Sequence, residues 1–188
     1  MKFALCLLLL AIGFQQGSME PFQRGYCYSN DGKRTDGLIK FRRATFSVFG
    51  SKKSHIEFKE AEDSPSRKLT ADDISAFVMG NDSFAVVYNI KINSISGSYV
   101  RDFAKVIASG KVNLYLHMSS SADGRNSYDN DRYVLSKDGK KFLGIWNPKD
   151  QRKEIAEFFS DNPEIRARIL NKEFDKNIPE LVKVYNGN

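Results

Sequence analysis

From Arg24 to Trp146 the chain is a succession of short runs in which apolar and polar residues alternate, each closed by turn-forming residues. A period of two sends successive side chains to opposite faces of a strand, so such runs can bury an apolar face only by pairing into a sheet. Arg24–Ser29 reads as a strand, Asn30-Asp31-Gly32 as a turn, and Leu38–Arg42 as the returning strand. Thr45–Phe49 and His55–Lys59 are two more short strands, with Gly50-Ser51-Lys52-Lys53 as the hairpin loop between them. Glu60 to Lys68 is polar, contains Pro65, and reads as a loop. The most continuous apolar strand, Ser83–Ile92, is expected near the centre of the sheet. Arg101–Ala108 and Lys111–Met118 form a hairpin about Ser109-Gly110, and Ser119–Asp131 is a polar loop. Arg132–Ser136 and Lys140–Ile145 form a last hairpin about Lys137-Asp138-Gly139.

The period changes twice. In Thr70–Val78, Ile74, Phe77 and Val78 fall at i, i+3 and i+4 behind a capping Thr70 and the acids Asp72 and Asp73, which predicts one short mid-chain helix. After Trp146 three helix starts follow. They are Asn147-Pro148, Asp161-Asn162-Pro163-Glu164 and Asn177-Ile178-Pro179-Glu180, each a capping residue with proline in the first turn. Short amphipathic helices with no partner of their own must pack on the sheet. The expected fold is therefore α+β: a mainly antiparallel sheet of hairpins, one short mid-chain helix, and three short C-terminal helices packed on the sheet.

The N-terminus carries Lys2 and then an apolar run from Phe3 to Ile12, followed by small and polar residues. That pattern predicts a secretory signal peptide over residues 1–18, its apolar core too short to span a bilayer. Residues 19–188 form the expected single domain, β-rich over 24–146 and helical over 147–187. The destination is outside the cytoplasm: periplasm, outer-membrane-associated or secreted. Loss of Lys2 lowers the formal charge from +6 to +5. Cations alternate with acids rather than forming one block, and the doublets of note are Arg42-Arg43, Lys52-Lys53 and Lys140-Lys141. These admit peripheral adhesion to an anionic polymer or lipid surface, or simply a solvated exterior. Only Cys27 remains after processing, which rules out an internal disulfide; in Tyr26-Cys27-Tyr28 it reads as a small buried hydrophobe.

Chemistry-bearing patterns are sparse. His55 and His117 are far apart and have no second His or Cys at ligand spacing, so no metal and no cofactor is expected. Neither a Gly-x-Ser-x-Gly elbow nor a phosphate-cradling P-loop occurs. Asp123–Asp131 alternates some calcium-type oxygens but lacks the loop glycine and terminal glutamate of an EF-hand. A Cys27–His hydrolase would need a thiol in an electropositive setting, and Cys27 is mid-strand. Dispersed basic residues argue against nucleic acid as the partner. Asn81-Asp82-Ser83 is a glycosylation sequon in form, and reads as a turn.

Several stretches together resemble a family of uncharacterised exported envelope proteins of Bacteroidetes. They are Gly25-Tyr26 through Gly37-Leu38-Ile39-Lys40-Phe41; Thr70-Ala71-Asp72-Asp73-Ile74-Ser75-Ala76-Phe77; and the hairpin Phe103-Ala104-Lys105-Val106…Gly110-Lys111…Leu114-Tyr115. Ser160-Asp161-Asn162-Pro163-Glu164 and the terminal Leu181-Val182…Tyr185-Asn186 complete the set. Ala71 stands where proline is usual, and Asn162 where a cysteine is common, so a thiol or disulfide of the relatives is absent at that position. Some relatives carry the domain ahead of an outer-membrane β-barrel; this chain ends at Asn188 and none is expected to follow. The resemblance implies export and an envelope setting, but no activity and no functional residues.

The expected function is a non-enzymatic, exported binding module whose partner is an envelope protein or glycan. A secreted hydrolase with an Asp, Glu or His site, and a binder of anionic polymer or lipid, stay open beside it. In Val112–Ser119, Val112, Leu114, Leu116 and Met118 alternate onto a core face; Tyr115 and His117 take the other face and are the candidate ligand contacts.

Overall fold

The computed structural model describes residues 21–47, 50–91, 98–122 and 127–187. The expected signal peptide lies outside the described residues. Among the described residues, fourteen strands and three helices follow in chain order. The strands are β1 (Gln23–Ser29), β2 (Arg34–Arg42), β3 (Ala44–Ser47), β4 (Gly50–Lys52), β5 (His55–Lys59), β6 (Arg67–Leu69), β7 (Ile74–Met79), β8 (Asp82–Lys91), β9 (Ser98–Ala108), β10 (Asn113–His117), β11 (Ser119–Ala122), β12 (Ser127–Asp129), β13 (Arg132–Lys137) and β14 (Lys141–Ile145). The helices are α1 (Arg152–Phe158), α2 (Pro163–Leu170) and α3 (Ile178–Asn186).

Ten strands form one antiparallel sheet in the order β14-β13-β10-β9-β8-β7-β1-β2-β5-β6, with β8 near the middle as its apolar run predicts. Turn chemistry sets the hairpins. Gly32 and Gly80 adopt φ of +84° and +59°, and Asp138 and Gly139 adopt +54° and +60°, the left-handed region that tight hairpin turns require. A second, four-stranded sheet has the order β12-β11-β3-β4, and its β11–β3 pair is parallel.

Two segments join the sheets. The chain passes from β2 into β3 at Arg43, and from β10 into β11 at Met118; the Ala44 N–H reaches the Met118 carbonyl at 3.3 Å. In the large sheet β2 and β10 are separated by four strands, so their meeting in the small sheet means that the large sheet curls. β14 consequently lies against β8, with the Tyr88 and Phe142 ring centroids 5.3 Å apart.

Three apolar clusters follow from this geometry. Val112, Leu114, Leu135, Leu143 and Ile145 present one face to the helices, which contribute Ile155, Phe159, Ile165, Ile169, Leu181 and Val182. A second cluster is built on Phe41, Phe58, Phe77, Phe84 and Phe103, in which Phe77 stacks on Phe84 at 4.4 Å and meets Phe103 edge-on at 5.2 Å. A third gathers Ala44, Val87, Ile90, Ala104 and Val134. The expected placement of three short helices on a mainly antiparallel sheet agrees with this arrangement.

The mid-chain helix is a correction. Residues 71–73 are a turn, and Ile74–Met79 is strand β7, paired with both β1 and β8. The polar groups read as a helix cap close the turn instead: Asp73 Oδ2 accepts from Thr70 N–H at 2.8 Å and from Thr70 Oγ1 at 2.7 Å. Ile74 and Phe77 are still buried, because two strand neighbours cover β7 and tertiary pairing outweighs a weak 3.6-residue pattern. Three expected loops are also partly strand. Gly50–Lys52 pairs with β3, Arg67 and Lys68 at the end of the expected 60–68 loop pair with β5, and Ser119–Ala122 and Ser127–Asp129 pair with each other.

The expected helix-start signals hold for α2 and α3. Asn162 and Asn177 accept from Ile165 N–H and Glu180 N–H, both at 3.1 Å. At Asn147 the cap closes a turn onto Lys149 N–H at 3.0 Å, and α1 begins only at Arg152.

Candidate functional site

Alternation along β10 puts Leu114 against the helices and turns Tyr115 and His117 to the opposite face, as the residue pattern predicts. That face is not solvent. Tyr115 packs against the third apolar cluster, and its phenol is pushed above its ordinary pKa by burial. His117 is 1% exposed. Of the two candidate contacts, His117 is therefore buried and Tyr115 partly buried: period two tells which residues share a face, not what covers it.

His117 belongs to a buried polar cluster. Its Nε2 lies 3.0 Å from Asp102 Oδ2, and Asp102, on β9, is 0% exposed. Ser54, between β4 and β5, donates its hydroxyl to Asp102 Oδ1 and its backbone N–H to both carboxylate oxygens at 3.1 and 3.2 Å. The Phe103 N–H adds a fourth donor at 2.9 Å. A serine, an aspartate and a histidine therefore meet, but in an order unlike a hydrolase. In a nucleophilic triad the imidazole stands between the hydroxyl and the carboxylate, so that it can take the hydroxyl proton. Here the carboxylate stands in the middle. Because a carboxylate only accepts, Nε2 carries its proton towards Asp102 and has no lone pair to offer Ser54. The cluster ties the Ser54 segment to the β9–β10 hairpin and satisfies a buried charge with several donors. Sequence reasoning missed Asp102 and Ser54 because no local motif carries them; an acid on an otherwise apolar-facing strand, Asp102 beside Phe103, is the one available signal.

Nearby, Arg43 stands at the crossover from β2 to β3. Its guanidinium pairs with Asp131 and, at 3.4 Å, with Asp129. Asp131 also accepts from Ser119 N–H at 3.2 Å. Of the acids considered for calcium, Asp129 and Asp131 are thus engaged, the first by Arg43 and the second by Arg43 and a backbone donor, and Asp123 lies outside the described residues. No group of three or more His, Cys, Asp or Glu suited to a metal occurs among the described residues. Cys27 is buried, and burial raises its thiol pKa, which keeps it protonated and unreactive.

Open hollows flank the sheets, and two of them carry clustered charged residues. One, of about 610 Å³, lies over β7, β1 and β2 and carries Arg24, Tyr26, Asp36, Leu38, Glu60 and Glu62. The Tyr26 ring in it is stacked by its own Arg34 guanidinium, 3.7 Å from the centroid. The other, of about 550 Å³, is lined by Phe41, Arg42, Arg43, Thr45, Lys52, Lys53 and His55. Two cationic doublets ten residues apart in sequence converge there. The convergence follows from register: Arg42 pairs directly with His55 in the large sheet, and Thr45 with Lys52 in the small one. Lys140-Lys141 lies elsewhere, at the β13–β14 turn.

Electrostatics in this basic cleft are set by acids behind its wall. Arg42 Nε bonds Glu57 at 2.8 Å, which holds that carboxyl below its ordinary pKa. Lys53 Nζ is 3.9 Å from Asp72. His55 has its pKa lowered by burial first and then by Lys68, so the neutral ring is favoured; its Nδ1 is buried without a hydrogen-bond partner among the described residues. Comparison with known protein families, with curated proteins and with solved structures finds no match to this chain.

Proposed function

We propose that this chain is an exported, non-enzymatic binding module that engages an anionic partner in the cell envelope. The observation that carries the reading is the convergence of Arg42-Arg43 and Lys52-Lys53, with His55, in one open cleft whose lining, among the described residues, contains no acid. Clefts of one charge sign concentrate counter-charged ligands and steer their approach. Support for a binding rather than a catalytic role comes from the Ser54–Asp102–His117 cluster, whose order leaves the histidine unable to activate the serine. Export rests on the N-terminal pattern, and an envelope setting accords with the resemblance to exported Bacteroidetes proteins. No helix among the described residues is long and apolar enough to cross a membrane.

Retention of the purified chain on immobilised envelope polysaccharide, peptidoglycan, polyanionic resin and acidic lipid tests this function. Salt-sensitive retention on an anionic matrix is expected, because screening over roughly 8–10 Å at physiological ionic strength weakens exposed charge contacts. Absence of retention on every anionic matrix at low salt overturns it.

A further inference from the structure

We propose that Asn186-Gly187 is a site of spontaneous deamidation that the docking of α3 beside the start of β10 keeps shut, and that conversion of Asn186 stops the helix end from docking again. The inference goes beyond the binding reading and does not depend on it.

An asparagine side chain is attacked by the backbone nitrogen of the residue after it, and glycine at that place leaves the approach unobstructed because it has no Cβ. Asn186 is the one asparagine in the sequence that is followed by glycine. In the reaction the Gly187 nitrogen forms a bond to Asn186 Cγ and gives up its proton, and the Cγ–Nδ2 bond breaks to release ammonia. Water then opens the five-membered succinimide at either carbonyl and leaves aspartate or isoaspartate. Water is the only co-reactant, and it can reach the site: Gly187 is exposed and Asn186 half-buried.

The fold holds the reacting groups apart. The electrophile is engaged, since Asn186 Oδ1 accepts from Val112 N–H at 3.0 Å and Nδ2 donates to Val112 C=O at 2.9 Å. The nucleophile is engaged too: the Gly187 N–H caps α3, donating to Val184 C=O at 3.2 Å and to Lys183 C=O. Asn186 is the last helical residue, and Gly187 takes the left-handed conformation, φ +81°, that ends the helix. The nitrogen therefore cannot swing onto Cγ until the cap opens. Conversion proceeds from the locally opened helix end, at a rate set by that opening. Gly110 supports the dock from the turn before β10, because a Cβ there would meet the Asn186 amide at 2.5 to 2.9 Å.

The product does not fit the dock. Aspartate at this position has no donor for Val112 C=O and sets a carboxylate against that carbonyl, at a helix C-terminus where negative charge is unfavourable. Isoaspartate adds a methylene to the main chain next to Gly187 and moves the capping N–H away from its carbonyls. An opening that is reversible before conversion is fixed by it.

The test follows deamidation of the full chain in mildly alkaline buffer by peptide mass mapping, folded and in urea. Conversion at Asn186 is expected to be at least about tenfold slower in the folded chain than in urea. Asn171, exposed at the end of α2 and followed by lysine, is the internal control and should convert more slowly than Asn186 in urea. Gly110→Ala leaves the reacting pair intact but pushes the Asn186 amide off Val112, so it should speed conversion severalfold in the folded chain and not at all in urea. In Asn186→Asp, the Val112 amide hydrogen is expected to exchange about tenfold faster than in the parent. Equal rates at Asn186 in the folded and urea-treated chain overturn the protection, and conversion in urea no faster than at Asn171 overturns the site; both comparisons use the unsubstituted chain. A Gly110→Ala chain that is folded by circular dichroism and converts at the parent rate removes the Val112 contact as the guard. Parent-like Val112 exchange in Asn186→Asp overturns the one-way release.

Discussion

Asn186, at the end of α3, closes on Val112 with two hydrogen bonds: its side-chain oxygen accepts from Val112 N–H at 3.0 Å, and its amide nitrogen donates to Val112 C=O at 2.9 Å. The last helical residue thereby replaces a strand neighbour at the start of β10. The approach is close, since a Cβ on Gly110 would meet the Asn186 amide at 2.5 to 2.9 Å. Asn186→Ala is expected to cost about 1–3 kcal/mol, because two partly buried backbone groups lose their partners. Gly110→Ala should destabilise the parent but cost much less in the Asn186→Ala background, where the clash is gone. Urea unfolding of the four chains of this cycle measures the coupling. Strict additivity would show that the contact does not constrain Gly110.

Among the described residues Asp102 is a fully buried acid surrounded by hydrogen-bond donors. Asp102→Ala removes the acceptor for Ser54 N–H, Ser54 O–H, Phe103 N–H and His117. A loss of about 3–5 kcal/mol is expected, in the range for breaking a buried charge pair. Ser54→Ala keeps the acceptor and should cost only about 1–2 kcal/mol. Denaturant midpoints check both values. At a temperature where Ser54→Ala remains folded, its retention on an anionic matrix should match the parent; a selective loss of retention would return this cluster to a functional role.

Much of the architecture was legible from residue pattern because strand alternation and turn residues act locally. Asp138-Gly139 and Asn162-Pro163 each specify their own backbone geometry. Residues far apart in the chain meet as well: Tyr185-Asn186 meets Asp161 and Val112, and Gly25 pairs directly with Gly37. What could not be read was what lies opposite a polar face. His117 and Tyr115 alternate away from the helices whether that face is solvent or a second core, and only the curl of the sheet decides. The basic cleft was hidden for a similar reason. Its two doublets meet through the β2–β5 and β3–β4 registers, which no local window contains. At Thr70–Asp73 the failure was different, since a threonine followed three residues later by an acid closes a turn as well as it caps a helix.

That turn is itself a testable element. Asp73 is kept below its ordinary pKa by the Thr70 backbone N–H first and the Thr70 hydroxyl second. Asp73→Ala frees both donors and is expected to destabilise the chain by roughly 1 kcal/mol, the scale of a lost local cap. Asp73→Asn, which keeps an acceptor oxygen, should recover part of this. Thermal unfolding of both variants provides the comparison. If Asp73→Ala instead increased helical circular dichroism at unchanged stability, the turn would not be what fixes the start of β7.

The C-terminal helix should give the fold an alkaline limit. Tyr185 donates its hydroxyl to Asp161, and its ring meets Phe159 at 4.8 Å. Its pKa rises from 10.0 to about 12, through burial first and then the hydrogen bond and charge of Asp161. A group with a raised folded-state pKa favours the fold fully below its unfolded pKa, and that contribution disappears as pH climbs to the folded value. Stability is therefore expected to be flat in this respect below about pH 10 and to fall between about 10 and 12. Asp161 gives the opposite limb. The Lys137 hydrogen bond first, and the Tyr185 bond second, hold its carboxyl below the usual aspartate range. Its contribution is present above the unfolded pKa and is lost as acid takes the pH down through the lowered folded value. Tyr185→Phe removes the alkaline step and should leave much of the acid one, because Lys137 still holds Asp161 at 2.5 Å. Phenolate absorbance titrations of folded and unfolded chain, read beside urea midpoints across both windows, measure the two effects. A Tyr185→Phe chain that kept the full alkaline fall would assign that step to another group.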